Sequence, residues 1–185
     1  MHGTANFSAI ASLENVPTLT FGMLYCFFVL AHDRRRILHF NVTRHPTSAW
    51  VIQQLRETFP FDSAAGYLIF DRGHQFKLEV IDTVKSFGIH PKRTSFRSPW
   101  QNGVAERFIG NCRRDLLDHV IVLNERQLKR LVAEYVQYYH DDRTQLALAK
   151  ETPAGREAVK SSDAGGRVIS MPKLGGLHHR YQLAA

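Results

Sequence analysis

The sequence predicts an α/β domain. Two apolar runs, residues 22–32 and 37–43, flank the polar connection Asp33-Arg34-Arg35-Arg36 and read as a β-hairpin. Further along, short apolar runs alternate with stretches whose apolar residues recur at helical spacing, which is the pattern of strands interleaved with amphipathic helices. At 185 residues the chain is long enough for one domain with a real core, plus a tail.

Composition narrows the class. Hydrophobic residues make up 44% and charged residues 22%, ordinary for a globular protein. Lys and Arg total 24 against 17 acids, for a net charge of +7, and ten His can add charge below neutral pH. Such a balance favours a polyanionic partner, because each neutralised phosphate releases condensed counterions. Cys26 and Cys112 lie singly in apolar stretches, which suits a reducing compartment and supplies neither a disulfide framework nor a zinc knuckle. The longest apolar run, residues 19–31, is too short for a membrane helix, and no basic region leads into a cleavage site; a cytoplasmic protein is expected.

Taken in order, residues 1–15 carry little pattern and read as a poorly ordered arm or the remnant of a strand. In the second arm of the hairpin, Leu38, Phe40 and Val42 alternate with His39 and Asn41, so one face is the more exposed. Arg34, Arg35 and Arg36 at the hairpin turn suit either phosphate contacts or simple solvation. Thr47 or Ser48 caps a helix running to about Thr58, with Trp50, Val51, Gln54 and Leu55 at helical spacing. Tyr67-Leu68-Ile69-Phe70 reads as a buried strand. Phe76, Val80, Val84 and Phe87 form the apolar face of the next helix, which Gly88 closes. Residues 89–94 form a strand that Pro91 places at an edge. Ala105, Phe108, Ile109, Cys112 and Leu116 then mark another helix. Asn124 opens a long one to about His140, with Tyr135 and Tyr139 on its core face. Residues 151–166, rich in Ala, Gly, Ser and Pro, read as linker, and residues 167–181 as a small hairpin. The adjacent His178 and His179 are a poor metal signature without further ligands.

Chemistry concentrates between Tyr67 and Glu106. Asp71 follows the buried strand directly, at the end where open α/β sheets place their ligands. Glu106 sits in the first turns of the helix after Ser98-Pro99-Trp100-Gln101-Asn102-Gly103-Val104-Ala105-Glu106-Arg107, and 34 residues separate the two acids. Singly, each has a bland alternative: Asp71 as a turn former, Glu106 as a complement to the helix dipole. Together they suggest a carboxylate site.

The spacing of the two acids and the Ser-Pro-Trp-Gln-Asn-Gly-Val-Ala-Glu-Arg string resemble the integrase catalytic core of DDE transposases and retroviral-type integrases. The likeness runs from about Val16 to Pro153 and is nearest to bacterial insertion-sequence transposases. It implies a ribonuclease H-like fold, a mixed five-strand sheet flanked by helices, here with a first strand that is missing or frayed. Residues 1–15 would then be arm or strand remnant, residues 16–150 the catalytic core-like domain, and residues 151–185 linker and tail. It implies DNA integration and recombination by metal-dependent phosphodiester transfer, with Mg²⁺ or Mn²⁺ held by converging carboxylates, and it implies homo-multimers. Asp71 and Glu106 match the family's second and third acids.

The resemblance fails at the first acid. Relatives of this type carry an Asp four residues before the Val of Val16-Pro17-Thr18-Leu19-Thr20, and this chain has Ser12 there. A neutral hydroxyl cannot hold two cations together against their repulsion. Glu14 is the nearest substitute, on the same strand face but about 6 to 7 Å further along. The chain therefore reads as a truncated or degenerate transposase with little or no strand-transfer activity. An active enzyme using Glu14 or a displaced Asp is the rival, and a non-catalytic DNA-binding or multimerisation module is the alternative from another class. Fifteen unpatterned residues hold no helix-turn-helix, so DNA contact is expected through phosphates. Candidates are Arg72, Lys92, Arg93, Arg97, Arg107, Arg113 and Arg114, each equally suited to a solvated surface, with Gln101 and Asn102 contacting DNA or positioning the loop.

Overall fold

Ala5–Pro17 folds as β1, a strand of 13 residues at the centre of a five-stranded sheet. The computed structural model describes residues 5–60, 65–70, 73, 75–95, 102–156 and 167–183. The expected arm or strand remnant is thus, from Ala5 onward, the strand on which the sheet is assembled. Its pattern is weak because it is buried on both faces: Ala9, Ile10 and Ala11 are all inaccessible, so no alternation of polar and apolar residues marks it.

β2 (Met23–Ala31) and β3 (Ile37–Thr43) form the expected hairpin, with β2 antiparallel to both β1 and β3. β4 (Ala65–Phe70) runs parallel to β1, and β5 (His90–Arg93) runs parallel to β4 at the edge, where Pro91 removes no interior ladder bond. The order β3-β2-β1-β4-β5 makes β1, β3, β4 and β5 all finish at one end of the sheet.

Helices cover both faces. On one side α1 (Ser48–Thr58) and α2 (Leu78–Ser86) contribute Val51, Leu55, Val80 and Val84 to a cluster with Phe27, Val29, Leu68 and Phe70. On the other, α3 (Gly103–Asp115) and α4 (Glu125–Asp141) pack Phe108, Cys112, Val132, Tyr135 and Tyr139 against Ile10, Leu24, Cys26 and Phe28. The α4 tyrosines are therefore core. Thr47 caps α1, its Oγ1 accepting from the Trp50 amide at 3.2 Å, and Asn124 caps α4, its Oδ1 accepting from the Gln127 amide at 2.9 Å. Trp50 is half-buried at the rim of its cluster, edge-on to Phe27. Gly88 adopts φ +76 one residue beyond the α2 cap, a conformation that favours glycine.

Of the expected linker over residues 151–166, residues 157–166 lie outside the described residues, and residues 151–153 are held against the β2–β3 turn. Arg34 of the β2–β3 turn donates to the Glu151 carboxylate at 2.9 Å, to the Thr152 carbonyl at 3.1 Å and to the Pro153 carbonyl at 3.2 Å, and Thr152 is fully buried. Arg34 thus anchors the chain after α4 instead of gripping phosphate. The expected C-terminal hairpin is present as β6 (Val168–Lys173) and β7 (His178–Leu183), joined by a turn over Leu174–Gly176.

Candidate active site

Alternation along β1 puts Ile10, Ser12, Glu14 and Val16 on the side covered by α3 and α4, since Ile10 and Val16 belong to that cluster. Ser12 is buried, with 5% exposure. Ala11 pairs with Phe70, the last described residue of β4, and Ser12 and Asp71 are the next residues along their chains. Asp71, Arg72, Arg97 and Gln101 lie outside the described residues. Glu106 is exposed in the first turn of α3 and makes no ion pair among the described residues.

Glu14 is engaged elsewhere. Its carboxylate forms an ion pair with Arg113, whose guanidinium also donates to the Asn15 carbonyl at 2.9 Å. That arrangement takes Arg113 out of the set of free cations and neutralises the one acid on β1 near Ser12. The other basic candidates divide in the same way. Arg114 donates to Asn111 Oδ1 at 2.8 Å, Arg93 donates to the Phe76 carbonyl, and the Lys92 ammonium lies 5.7 Å from the centre of the Tyr67 ring. Arg107 is exposed and has no hydrogen bond or ion pair among the described residues. Asn102 is buried at the start of α3, with Oδ1 lacking a partner among the described residues.

Hard divalent ions need clustered carboxylate oxygens. Among the described residues no group of three or more His, Cys, Asp or Glu side chains is placed to hold a metal. Ser12 offers a neutral hydroxyl and Glu14 is paired, so the described residues do not fit a two-ion cage. Neither cysteine supplies a nucleophile: burial first, then the Glu14 carboxylate, push Cys26 up to about 12, and burial chiefly pushes Cys112 up as well.

Sequence reasoning missed a polar cluster where α3 and α4 end. A cavity of about 590 Å³ there is lined by residues that include Asp115, Tyr138, Asp142, Arg143, Arg156 and Arg180. Asp115 Oδ2 accepts from Arg143 Nε at 2.7 Å and from the Tyr135 hydroxyl at 3.2 Å. Burial pulls the Arg143 pKa down, and its hydrogen bond to Asp115 together with the charges of Tyr135, Asp115 and Tyr138 more than offsets that, leaving it above its ordinary value. No sequence motif marks this cluster, because its members come from separate elements.

Residues 87–153 match the integrase core domain family. No curated protein matches the chain in sequence. Among solved structures, the simian T-cell lymphotropic virus intasome in complex with PP2A regulatory subunit B56 gamma superposes with a TM-score of 0.64 at 13% identity, over 96% of this chain and 66% of that one. The chain thus spans just under two thirds of that protein's length. The HTLV-2 integrase catalytic core domain in complex with magnesium superposes in its trimeric form with a TM-score of 0.61 at 10% identity, over 83% of this chain and 97% of that one. Its dimeric form gives 0.60 at 12% identity, over 84% and 98%. Residues 87–153 are thus similar to the integrase core domain family, and the strand order and these superpositions give the chain the ribonuclease H-like fold of integrase cores.

Proposed function

We propose that the chain is a DNA-binding integrase-core protein of the DDE transposase type, of insertion-sequence origin, whose metal site has degenerated. The observation that carries this reading is on β1. The strand position of the first acid holds a buried Ser12, and the nearest substitute, Glu14, is paired with Arg113. Asp71 and Glu106 are left as the second and third acids, enough for one weakly held Mg²⁺ or Mn²⁺ and too few to clamp both oxygens of a phosphodiester transfer. The net charge of +7 supports a polyanionic partner. A non-catalytic role in DNA binding or multimer formation follows if the remaining acids hold no ion at all.

Calorimetric titration of Mg²⁺ and Mn²⁺ tests this on the wild type, Asp71→Ala and Ser12→Asp. Weak wild-type binding, abolished by Asp71→Ala and tightened by Ser12→Asp, is the expected result. Tight binding of two ions by the wild type would show that another residue completes the cage and would sink the degenerate reading.

A further inference from the structure

The cavity of about 590 Å³ where α3 and α4 end is built from separate pieces of the chain. Asp115 closes α3, Tyr138 and Asp142 lie at the end of α4, Arg156 belongs to the segment beyond it, and His178 opens the wall formed by β7. Contacts among these residues fix the walls. His178 Nε2 meets the Asp115 carbonyl at 3.0 Å, and its ring stacks on Tyr138 at 5.0 Å. Arg156 Nη2 donates to the Asp142 carbonyl at 3.3 Å, and the Arg156 amide donates to Thr152 Oγ1 at 3.1 Å. Small organic ligands occupy pockets of about 300–1,000 Å³, and this one falls within that range.

Two buried groups in this cavity lack the partners that burial demands. The Asp142 side chain is 2% exposed, and Lys173 at 3.2 Å and Arg180 at 3.4 Å balance its charge, yet Oδ1 has no hydrogen bond among the described residues. Arg156 Nε is likewise buried without a partner among the described residues. Such groups cost free energy that a ligand bringing the missing partners recovers. Charge sets the class of that ligand. Arg143, Arg156 and Arg180 line the cavity with only two acids, Asp115 and Asp142, which leaves one positive charge in excess. Asp115 takes Arg143 and Asp142 takes Arg180, so Arg156 is the lining cation without a carboxylate. A guanidinium fork fits the two oxygens of a carboxylate. An ionised Asp only accepts, so Asp142 Oδ1 calls for a donor. A hydroxyl supplies it without cancelling the negative charge that the excess requires, as an ammonium would. Tyr138, His178 and Tyr181 offer rings to the ligand's body.

We propose that this cavity binds a small hydroxycarboxylate with an aromatic body: the carboxylate accepts from Arg156, the hydroxyl donates to Asp142 Oδ1, and the ring lies among Tyr138, His178 and Tyr181. The site is distinct from the candidate active site, since Glu106 and Asp115 stand at opposite ends of α3, about 13 Å apart along its axis. Because β7 forms one wall and the end of α4 another, the bound acid ties the hairpin to the helical face.

Calorimetric titration with mandelate, and with phenylacetate, which lacks only the hydroxyl, tests the site. Mandelate should bind with a Kd of about 1 mM, ordinary for a ligand of its size, and phenylacetate about tenfold more weakly, for the lost bond to a charged acceptor. Arg156→Gln should weaken mandelate by about tenfold or more. Thr144→Trp, at an exposed lining residue, fills part of the cavity and should weaken mandelate likewise. Mandelate at about ten times its Kd should slow hydrogen exchange of the β6–β7 amides about tenfold and leave the β1 amides unchanged. No binding of mandelate at about 10 mM, equal affinity for the two acids, or wild-type affinity in both variants overturns the proposal. Inorganic phosphate that binds as tightly as mandelate and displaces it assigns the cavity to a phosphate and overturns the hydroxycarboxylate. A DNA duplex that expels mandelate from the wild type overturns it as well, making the cavity part of a nucleic-acid surface.

Discussion

Single residues decide what this core can do. Ser12 occupies a strand position that alternation turns toward α3, and Glu14 on the same face is neutralised by Arg113. The serine is visible in the sequence, but the pairing of Glu14 is not, because it bridges residues 14 and 113 across two elements. His140 shows another such effect. Its Nε2 accepts from the Ile37 amide at 2.8 Å, which requires the neutral ring, and burial, then Arg36, lower its pKa below the usual 6.5. The folded ring therefore takes up its proton at lower pH than the unfolded one. Below about pH 6.5 the unfolded chain binds more protons, so this group's contribution to stability is present near neutrality and is lost as the pH falls. One such proton changes stability by at most about 1.4 kcal/mol per pH unit, and less here because the ring is only half-buried. Urea midpoints at about pH 7.5 and 5.5 should therefore fall less in His140→Gln than in the wild type; equal falls would show that His140 is not the group responsible.

At the scale of elements, α3 is the pivot. Phe108, 1% exposed, meets Phe28 at 5.0 Å, Tyr139 at 4.9 Å and Tyr135 at 5.9 Å, so it joins the sheet to α4. Phe108→Ala should destabilise the fold by about 3–5 kcal/mol, measured by chemical denaturation, whereas a loss below about 1 kcal/mol would mean that the core recloses around the gap. Helices were legible in the sequence because their apolar stripes, the Thr47 and Asn124 caps and Gly88 all act locally. β1 was not legible. Its small and polar residues, Ala9, Ala11, Ser12 and Asn15, have little strand preference of their own, and it becomes a strand because β2 and β4 supply ladders on both sides.

Among the described residues the molecule extends past the sheet and helices α1–α4. Asp142, at the end of α4 with its side chain 2% exposed, lies 3.2 Å from Lys173 Nζ and 3.4 Å from Arg180 Nη1, while His178 stacks on Tyr138 at 5.0 Å and donates to the Asp115 carbonyl at 3.0 Å. These contacts dock the β6–β7 hairpin on the helical face. Asp142→Ala should speed hydrogen exchange of the β6–β7 amides by about tenfold, equivalent to roughly 1.4 kcal/mol of local stability, and leave the β1 amides unchanged. Unchanged hairpin protection would assign the docking to His178 and Tyr138 instead. Among the described residues no helix is long and apolar enough to cross a membrane.

The sequence by itself determined the α/β class, the β2–β3 hairpin, the helices and their caps, and the neutral serine at position 12. Each is a matter of period, of a local hydrogen bond or of residue identity, so neighbours in the chain suffice to specify it. Only the tertiary structure decided the rest: that β1 is the central strand, that Arg113 occupies Glu14, that Arg34 anchors the chain after α4, and that Asp142, Arg156 and Arg180 line one cavity. These depend on groups brought together from distant parts of the chain, where strand pairing and burial, and no local pattern, set which side chains meet.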